Sequence, residues 1–271
     1  MSEFKIFCTS INYYRIIDNL PKYIYPLGLG KKNFPSNWLD EKVGKNISNL
    51  NNYYGELTGV YWIWKNKISE MSDKDMIGIC HYRKLWLNDN YTKKQKLSFS
   101  SLYSQLLKPE EKNIKDLESI QIQPIIFKNK NLLEDFKEIH NSNILEECLE
   151  FLEIKHKKLF LSHLKDNIFY PLNMFITKVS LFDEYCKVLF PWLEKSLDLC
   201  LKKKLCNDYN VRLPAFLAER FTSYWFSQYT KKKNLSYARL GKVFLSNTLN
   251  NFINPTKFPL TFRMYPTIHR Y

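Results

Sequence analysis

The chain has 271 residues, enough for one large domain, and 45% of them are hydrophobic and spread along its whole length, which excludes a long disordered tail. Its 41 Lys and Arg outnumber 27 Asp and Glu for a formal net charge of +14, which favours anionic partners: nucleotide diphosphates, nucleic acid or an acidic membrane surface. No run of about eighteen apolar residues occurs, so membrane contact is expected to be peripheral, and Met1 to Lys5 carries no secretory pattern.

Lys5 to Thr9 is a short β-prone run, followed by a long loop through Tyr25-Pro26-Leu27-Gly28-Leu29-Gly30-Lys31-Lys32. Tyr54, Leu57, Tyr61 and Trp64 recur at helical spacing and predict one helix over Tyr53 to Trp64, capped by Asn51 or Asn52. Met76 to Cys80 has the character of a buried strand and ends abruptly in His81-Tyr82-Arg83-Lys84. Asn88 to Lys115 is polar and hard to assign. Beyond it come a strand at Pro124 to Phe127 and helices over Leu132 to His140 and Ile144 to Lys165. A strand at Asn173 to Thr177 leads into a long amphipathic helix from Ser180, near its cap, to Leu201, and Leu213 to Tyr229 forms another helix. Residues 254–271 read as an extended tail packed on the rest. Strands alternating with helices imply an α/β domain, and no linker or repeat divides residues 1–271, so a single domain is expected. Cys8, Cys80, Cys148, Cys186, Cys200 and Cys206 form no C-x-x-C pair and read as reduced core residues.

Ligands of open α/β sheets gather beyond the carboxyl ends of the strands, which is where His81, Tyr82, Arg83 and Lys84 fall. Two fixed cations and an imidazole suit a diphosphate; the competing explanation is a structural histidine beside a solvated pair. The one Asp-x-Asp triplet, Asp73-Lys74-Asp75, precedes its strand and reads as a solvated turn rather than a metal site. No His/Cys cluster has zinc spacing, and neither a P-loop nor a G-x-S-x-G pattern occurs. Glu56 and Glu219 sit among residues that favour burial, and a carboxylate there must be paired or used; Glu219 has Arg220 and Arg212 as candidate partners. Gly28 and Gly30 with Lys31 and Lys32 suggest a phosphate-binding nest, with a plain turn as the alternative. Trp62, Tyr61 and Trp64 are candidates for stacking on a sugar, although helical spacing favours core packing for at least two of them.

Lys45 to Ser48, Tyr54 to Asn66, Ile77 to Lys84, Tyr170 to Ile176, Phe182 to Cys186 and Phe216 to Arg220, in that order, resemble a bacterial family catalogued as domain of unknown function 4422 and regarded as glycosyltransferases of capsule and exopolysaccharide clusters. The resemblance implies a GT-A-like nucleotide-sugar-binding domain with a mixed central sheet flanked by helices and additional C-terminal helices. In it the His-Tyr-Arg segment takes the place of the metal-binding Asp-x-Asp, so that no metal is required, magnesium or manganese being the alternatives. It differs from the usual pattern at Gly55, Lys45 and Lys84, where a cysteine, an acidic residue and a second arginine are common.

The expected reaction is transfer from a nucleoside-diphosphate sugar, UDP-linked and of galactofuranose type in related members, to a lipid-linked saccharide at the cytoplasmic membrane face. Arg83 and Lys84 would neutralise the leaving diphosphate, with His81 and Tyr82 beside them. Asn173 and Trp62 would contact sugar hydroxyls and rings. Glu219 is the first choice for a base and Glu56 the second. The rival readings are a basic nucleic-acid-binding protein, for which no signature is present, and a non-catalytic saccharide-binding module.

Overall fold

The computed structural model describes residues 3–88, 99–110, 114, 116–229, 234–235 and 237–239. The first half runs β1 (Phe4–Ser10), α1 (Arg15–Asp18), β2 (Ile24–Gly28), β3 (Leu39–Asp40), α2 (Asn51–Tyr54), α3 (Leu57–Asn66), β4 (Met76–His81), β5 (Lys84–Trp86), α4 (Phe99–Gln105) and β6 (Ser119–Ile122). The second half runs β7 (Ile125–Ile126), α5 (Leu132–His140), α6 (Ile144–Cys148), α7 (Ile154–Leu164), β8 (Ile168–Phe169), β9 (Phe175–Lys178), α8 (Val179–Lys202), α9 (Leu213–Ser227), β10 (Asn234–Leu235) and β11 (Tyr237–Arg239).

A mixed sheet in the order β10-β6-β9-β4-β1-β2-β3 forms the centre, and β5 turns back from β4 to pair with β11. β1 lies between β2 and β4 and is parallel to both, whereas β9 runs antiparallel to β4 and β6. The central strands are apolar on both faces. Ile77 and Ile79 of β4 enter the larger core with Phe182, Leu189, Leu217 and Phe221, while Met76 and Cys80 enter the smaller core with Ile6, Ile17 and Trp86. Gly78 is required between them, because a Cβ there would lie 2.9 Å from Ile6 and 3.0 Å from Ile176.

Helix α8 buries Phe182, Tyr185, Cys186, Leu189, Leu193, Leu197 and Cys200, a stripe at the three-to-four residue spacing of one helical face. Helix α9 is buried nearly all round. It is tied to α5 by Arg220, whose guanidinium meets Asp135 at 2.5 Å and lies 3.8 Å over the Phe169 ring. A buried charge pair of this kind is destabilising to break from one side, because the remaining charge has no water to replace its partner.

Several expected elements are divided. The helix expected over Tyr53 to Trp64 breaks at Gly55, whose φ of +56° suits glycine, into α2 and α3. The helix expected over Ile144 to Lys165 is interrupted by a 3-10 turn at Leu149–Phe151 and an extended Leu152. Within the supposed loop before Gly28 lies β2. It contains Pro26, but β3 pairs with Leu27 and Gly28, so among the described residues no strand pairs with the outer edge at the proline. Ser180 lies near the start of α8 as expected, two residues beyond the N-cap Lys178, whose side chain makes no capping bond. The expected tail over residues 254–271 lies outside the described residues.

Candidate active site

Parallel pairing of β1 with β4 brings Thr9 opposite His81 and delivers both strand ends to the same edge of the sheet. The chain then reverses, His81 pairing with Lys84 across the β4–β5 turn, so that Tyr82 and Arg83 project at its tip. The backbone N–H of Tyr82 donates to Thr9 O at 2.9 Å, and the Tyr82 ring stacks on Tyr14 at 5.1 Å and 7°. The Arg83 guanidinium lies 5.0 Å over Tyr82. Burial, against the pull of Glu56 and reinforced by Lys84 and Arg83, lowers the His81 pKa to about 4, so the imidazole is neutral near pH 7.

Facing this hairpin is a wall built from three distant segments. Glu56 follows Gly55 at the start of α3, Leu172 and Asn173 precede β9, and Glu219 lies in the second turn of α9. The Asn173 amide, only 2% exposed, donates to Glu56 Oε1 at 2.8 Å. Its own oxygen accepts from Thr222 at 3.0 Å, and the Thr222 hydroxyl is in turn 2.7 Å from Tyr185 OH. Buried side-chain amides settle in the orientation their neighbours fix, so this chain of bonds aims the Asn173 N–H at Glu56. The Leu172 N–H donates to Glu219 Oε1 at 2.5 Å. Leu172 holds a φ of +73°, unfavourable for a side chain with a Cβ, which concentrates backbone strain at this point of the wall.

The two carboxylates diverge in proton affinity. Burial alone would raise Glu56, but the His81 ring, the Asn173 amide and the Arg212 guanidinium more than offset it and hold it below the ordinary carboxylate value. For Glu219 burial prevails over Arg220, the Leu172 amide and Lys84, and the charge of Glu56 adds to it, so its pKa is raised. The two groups therefore differ in how readily they hold a proton.

Glu56, His81, Tyr82, Arg83, Lys84, Asn173 and Glu219 all line one cleft of about 200 Å³. Three sequence candidates lie outside its lining. Gly28 is packed beneath the Phe34 ring, and the Gly30 amide donates to the buried Glu41 carboxyl at 2.5 Å instead of standing free for a phosphate. Trp62 is buried, with its indole N–H on Val43 O at 2.5 Å, so its face is closed to a sugar. Asp75, the nearer half of the Asp-x-Asp triplet, accepts from the Glu3 and Ser72 amides at 2.7 and 2.8 Å. It stands at the start of β4, opposite the cleft. Glu219 is not paired with Arg220, whose guanidinium turns to Asp135.

The cleft also contains Arg212, which the sequence offered as a partner for Glu219 and not as a donor-site cation. Pro214 in the first turn of α9 marks the helix start, so Arg212 stands at its N-terminal end. A cation is unfavourable beside the positive end of a helix dipole, and that misfit was the available signal. Arg212 is exposed and lowers Glu56.

The model of the family described as domain of unknown function 4422 matches residues 5–232. The chain belongs to this family. The matched region includes every cleft residue named above, from Thr9 to Glu219. Among solved structures the chain is similar to one described as the apo structure of WbbM, a bifunctional glycosyltransferase, with a TM-score of 0.65 and 19% identity. The likeness covers 88% of this chain and 45% of that one, so the chain spans less than half of the WbbM chain. At that identity what is shared is the fold. No curated protein sequence matches the chain.

Proposed function

We propose that the chain is a glycosyltransferase using a nucleoside-diphosphate sugar, UDP-linked, as donor and a saccharide as acceptor. The observation that carries the reading is one cleft, at the carboxyl ends of β1 and β4, in which three cations from two segments face two carboxylates of opposite proton affinity. That division of charge suits a reaction in which a diphosphate leaves while an acceptor hydroxyl loses its proton. The fold shared with a glycosyltransferase chain supports the same reading.

In this reading Arg83, Lys84 and Arg212 neutralise the charge that grows on the diphosphate as its bond to the anomeric carbon breaks. Glu219, with one oxygen held by Leu172, presents the other to the acceptor hydroxyl and takes its proton as the new glycosidic bond forms. Glu56, kept ionised, stabilises positive charge developing on the sugar ring. Asn173 is then a positioning residue for Glu56, and its remaining amide proton is available to a sugar hydroxyl. Residues 1–271 act as one catalytic domain in this account.

The acceptor is a lipid-linked saccharide of surface polysaccharide synthesis, met at the inner membrane face. The net charge of +14 supports attraction to an anionic surface, and among the described residues no helix is long and apolar enough to cross a membrane. A melting-temperature screen against a panel of nucleotide sugars tests the reading: UDP and at least one UDP-sugar raise the melting temperature, and that sugar is turned over. A protein unaffected by every nucleotide sugar would not be this enzyme.

A further inference from the structure

We infer that Tyr209 and Phe216 form a stacking subsite for a neutral pyranose ring of the acceptor, an inference that rests on the glycosyltransferase reading. Phe216 lines the cleft on α9 three residues before Glu219. At about 1.5 Å of rise per helical residue the two are separated by about 4.5 Å along the axis, comparable to the width of one sugar ring. The Phe216 ring continues outward into Tyr209, stacked on it at 5.4 Å and 22°. Tyr209 is 46% exposed, which leaves part of its ring open to solvent.

The shelf is rigid and uncharged. Both rings rest on the buried His140, 4.7 Å from Phe216 and 5.9 Å from Tyr209, and His140 is itself packed on Phe136 at 4.4 Å. Asn210, the neighbour of Tyr209, holds His140 at two points: its Oδ1 lies 2.8 Å from the ring Nδ1 and its Nδ2 donates to the His140 backbone O at 3.2 Å. Burial lowers the His140 pKa, which keeps the support neutral near pH 7. Two cations of the cleft, Arg83 and Lys84, stand on the β4–β5 hairpin, and Arg212 stands at the start of α9, four residues before Phe216. A diphosphate is drawn to the paired cations of the hairpin, whereas the two aromatic rings suit the C–H face of a neutral sugar. A ring lying there has its hydroxyls beside Glu219, which the proposed proton transfer requires.

The test uses saturation-transfer NMR with irradiation of aromatic protons, on methyl β-D-galactopyranoside, methyl β-D-glucopyranoside, lactose and cellobiose, with and without UDP. Wild-type protein is expected to transfer saturation to ring C–H protons of at least one of these sugars. Tyr209→Ala should weaken that sugar about three- to tenfold, the range of one aromatic contact, while Tyr209→Phe stays within about twofold of wild type. The UDP-induced rise in melting temperature is unchanged in both variants. If Tyr209→Ala does not fold, Tyr209→Leu removes the ring face while keeping bulk and carries the same expectation. The inference is overturned if no sugar in the panel receives saturation from the wild type, or if a folded Tyr209→Ala or Tyr209→Leu binds as the wild type does. It is also overturned if Tyr209→Ala loses binding to phosphatidylglycerol vesicles while sugar binding is unchanged. A wild type that binds sugar at this shelf but never binds UDP or a UDP-sugar would leave the subsite standing and remove the transferase reading.

Discussion

The two sides of the cleft are built in opposite ways. Most of the cationic side is one contiguous run, His81 to Lys84, folded over itself by the β4–β5 turn, so its chemistry is largely local, with Arg212 added from the start of α9. The carboxylate side is assembled from α3, the segment before β9, and α9, and depends on buried bonds through Asn173, Thr222 and Leu172 to hold its geometry. A local element tolerates loss of one member with loss of that member's function alone. An assembled one transmits a change at Thr222, which lies in the core, to Glu56, which faces the cleft.

The largest expected effect tests which carboxylate does chemistry. Glu219→Gln keeps shape and can still accept the Leu172 amide, but cannot take a proton. Transfer should fall by about 10²–10⁴-fold, the range for loss of a general base, with donor affinity preserved. Because the folded-state pKa of Glu219 is raised, its ionisation opposes folding: its contribution is most favourable below its unfolded pKa and is lost as pH rises through the folded one. The glutamine variant should therefore melt at or above the wild-type temperature at pH 8. The wild-type rate should fall as pH drops through the raised value, with a midpoint above that of an ordinary carboxylate. A stable Glu219→Gln enzyme with ordinary turnover, measured beside its melting temperature, rules out the base.

The next effect belongs to the local side. Arg83→Ala removes an exposed guanidinium at a turn and should leave the melting temperature unchanged while weakening UDP by about ten- to a hundredfold, the equivalent of about 1.5–3 kcal/mol for a charged hydrogen bond. UDP affinity equal to wild type, read by calorimetry, takes Arg83 out of the donor site.

This same difference governs what the sequence made legible. A buried strand followed at once by His81-Tyr82-Arg83-Lys84 announces itself, because burial and charge change within one residue. Strands β1 and β4 and helices α5 and α9 were legible from period and composition alone. The break at Gly55 was not, since the aromatic periodicity continues across it, and only the positive φ separates α2 from α3. Nor was β2, where Pro26 and Gly28 argue for a loop until a parallel neighbour is present to pair with. Gly30 and Trp62 stayed open between a site role and a structural one for a single reason: the groups that engage them, Glu41 and Val43 O, are distant in sequence and carry no mark of the pairing. Glu56 and Glu219 were recognisable as carboxylates in apolar surroundings, but their shared cleft and divergent proton affinities exist only after folding.

A smaller effect probes the assembled side from within. Thr222→Val keeps volume and removes the hydroxyl between Asn173 and Tyr185, leaving buried polar groups short of a partner at about 1–3 kcal/mol. The melting temperature should fall, and turnover per folded molecule should drop several-fold as Glu56 loses its fixed contact, with UDP affinity unchanged. Thr222→Ser restores the hydroxyl and should recover turnover. If both variants turn over equally per folded molecule, the relay serves stability alone.

The smallest expected effect is none. Arg83, Lys84 and Arg212 supply fixed positive charge where a diphosphate would lie, and Asp75, the carboxylate nearest to a metal motif in sequence, has both oxygens bound to backbone amides at the far end of β4. Donor binding is therefore expected to survive excess EDTA. Fixed cations also make a distinct signature: screening weakens them, so UDP affinity should decline steadily as salt rises, whereas a chelated ion would give an abrupt loss at low salt. The comparison is made by titrating UDP at several salt concentrations, with and without EDTA, on wild type and Arg83→Ala. Loss of UDP binding in EDTA at low salt, restored by manganese or magnesium, would show that the cationic hairpin does not act alone. A shallower salt dependence in Arg83→Ala than in wild type, unaffected by EDTA, is the outcome that assigns the charge to the protein's own side chains.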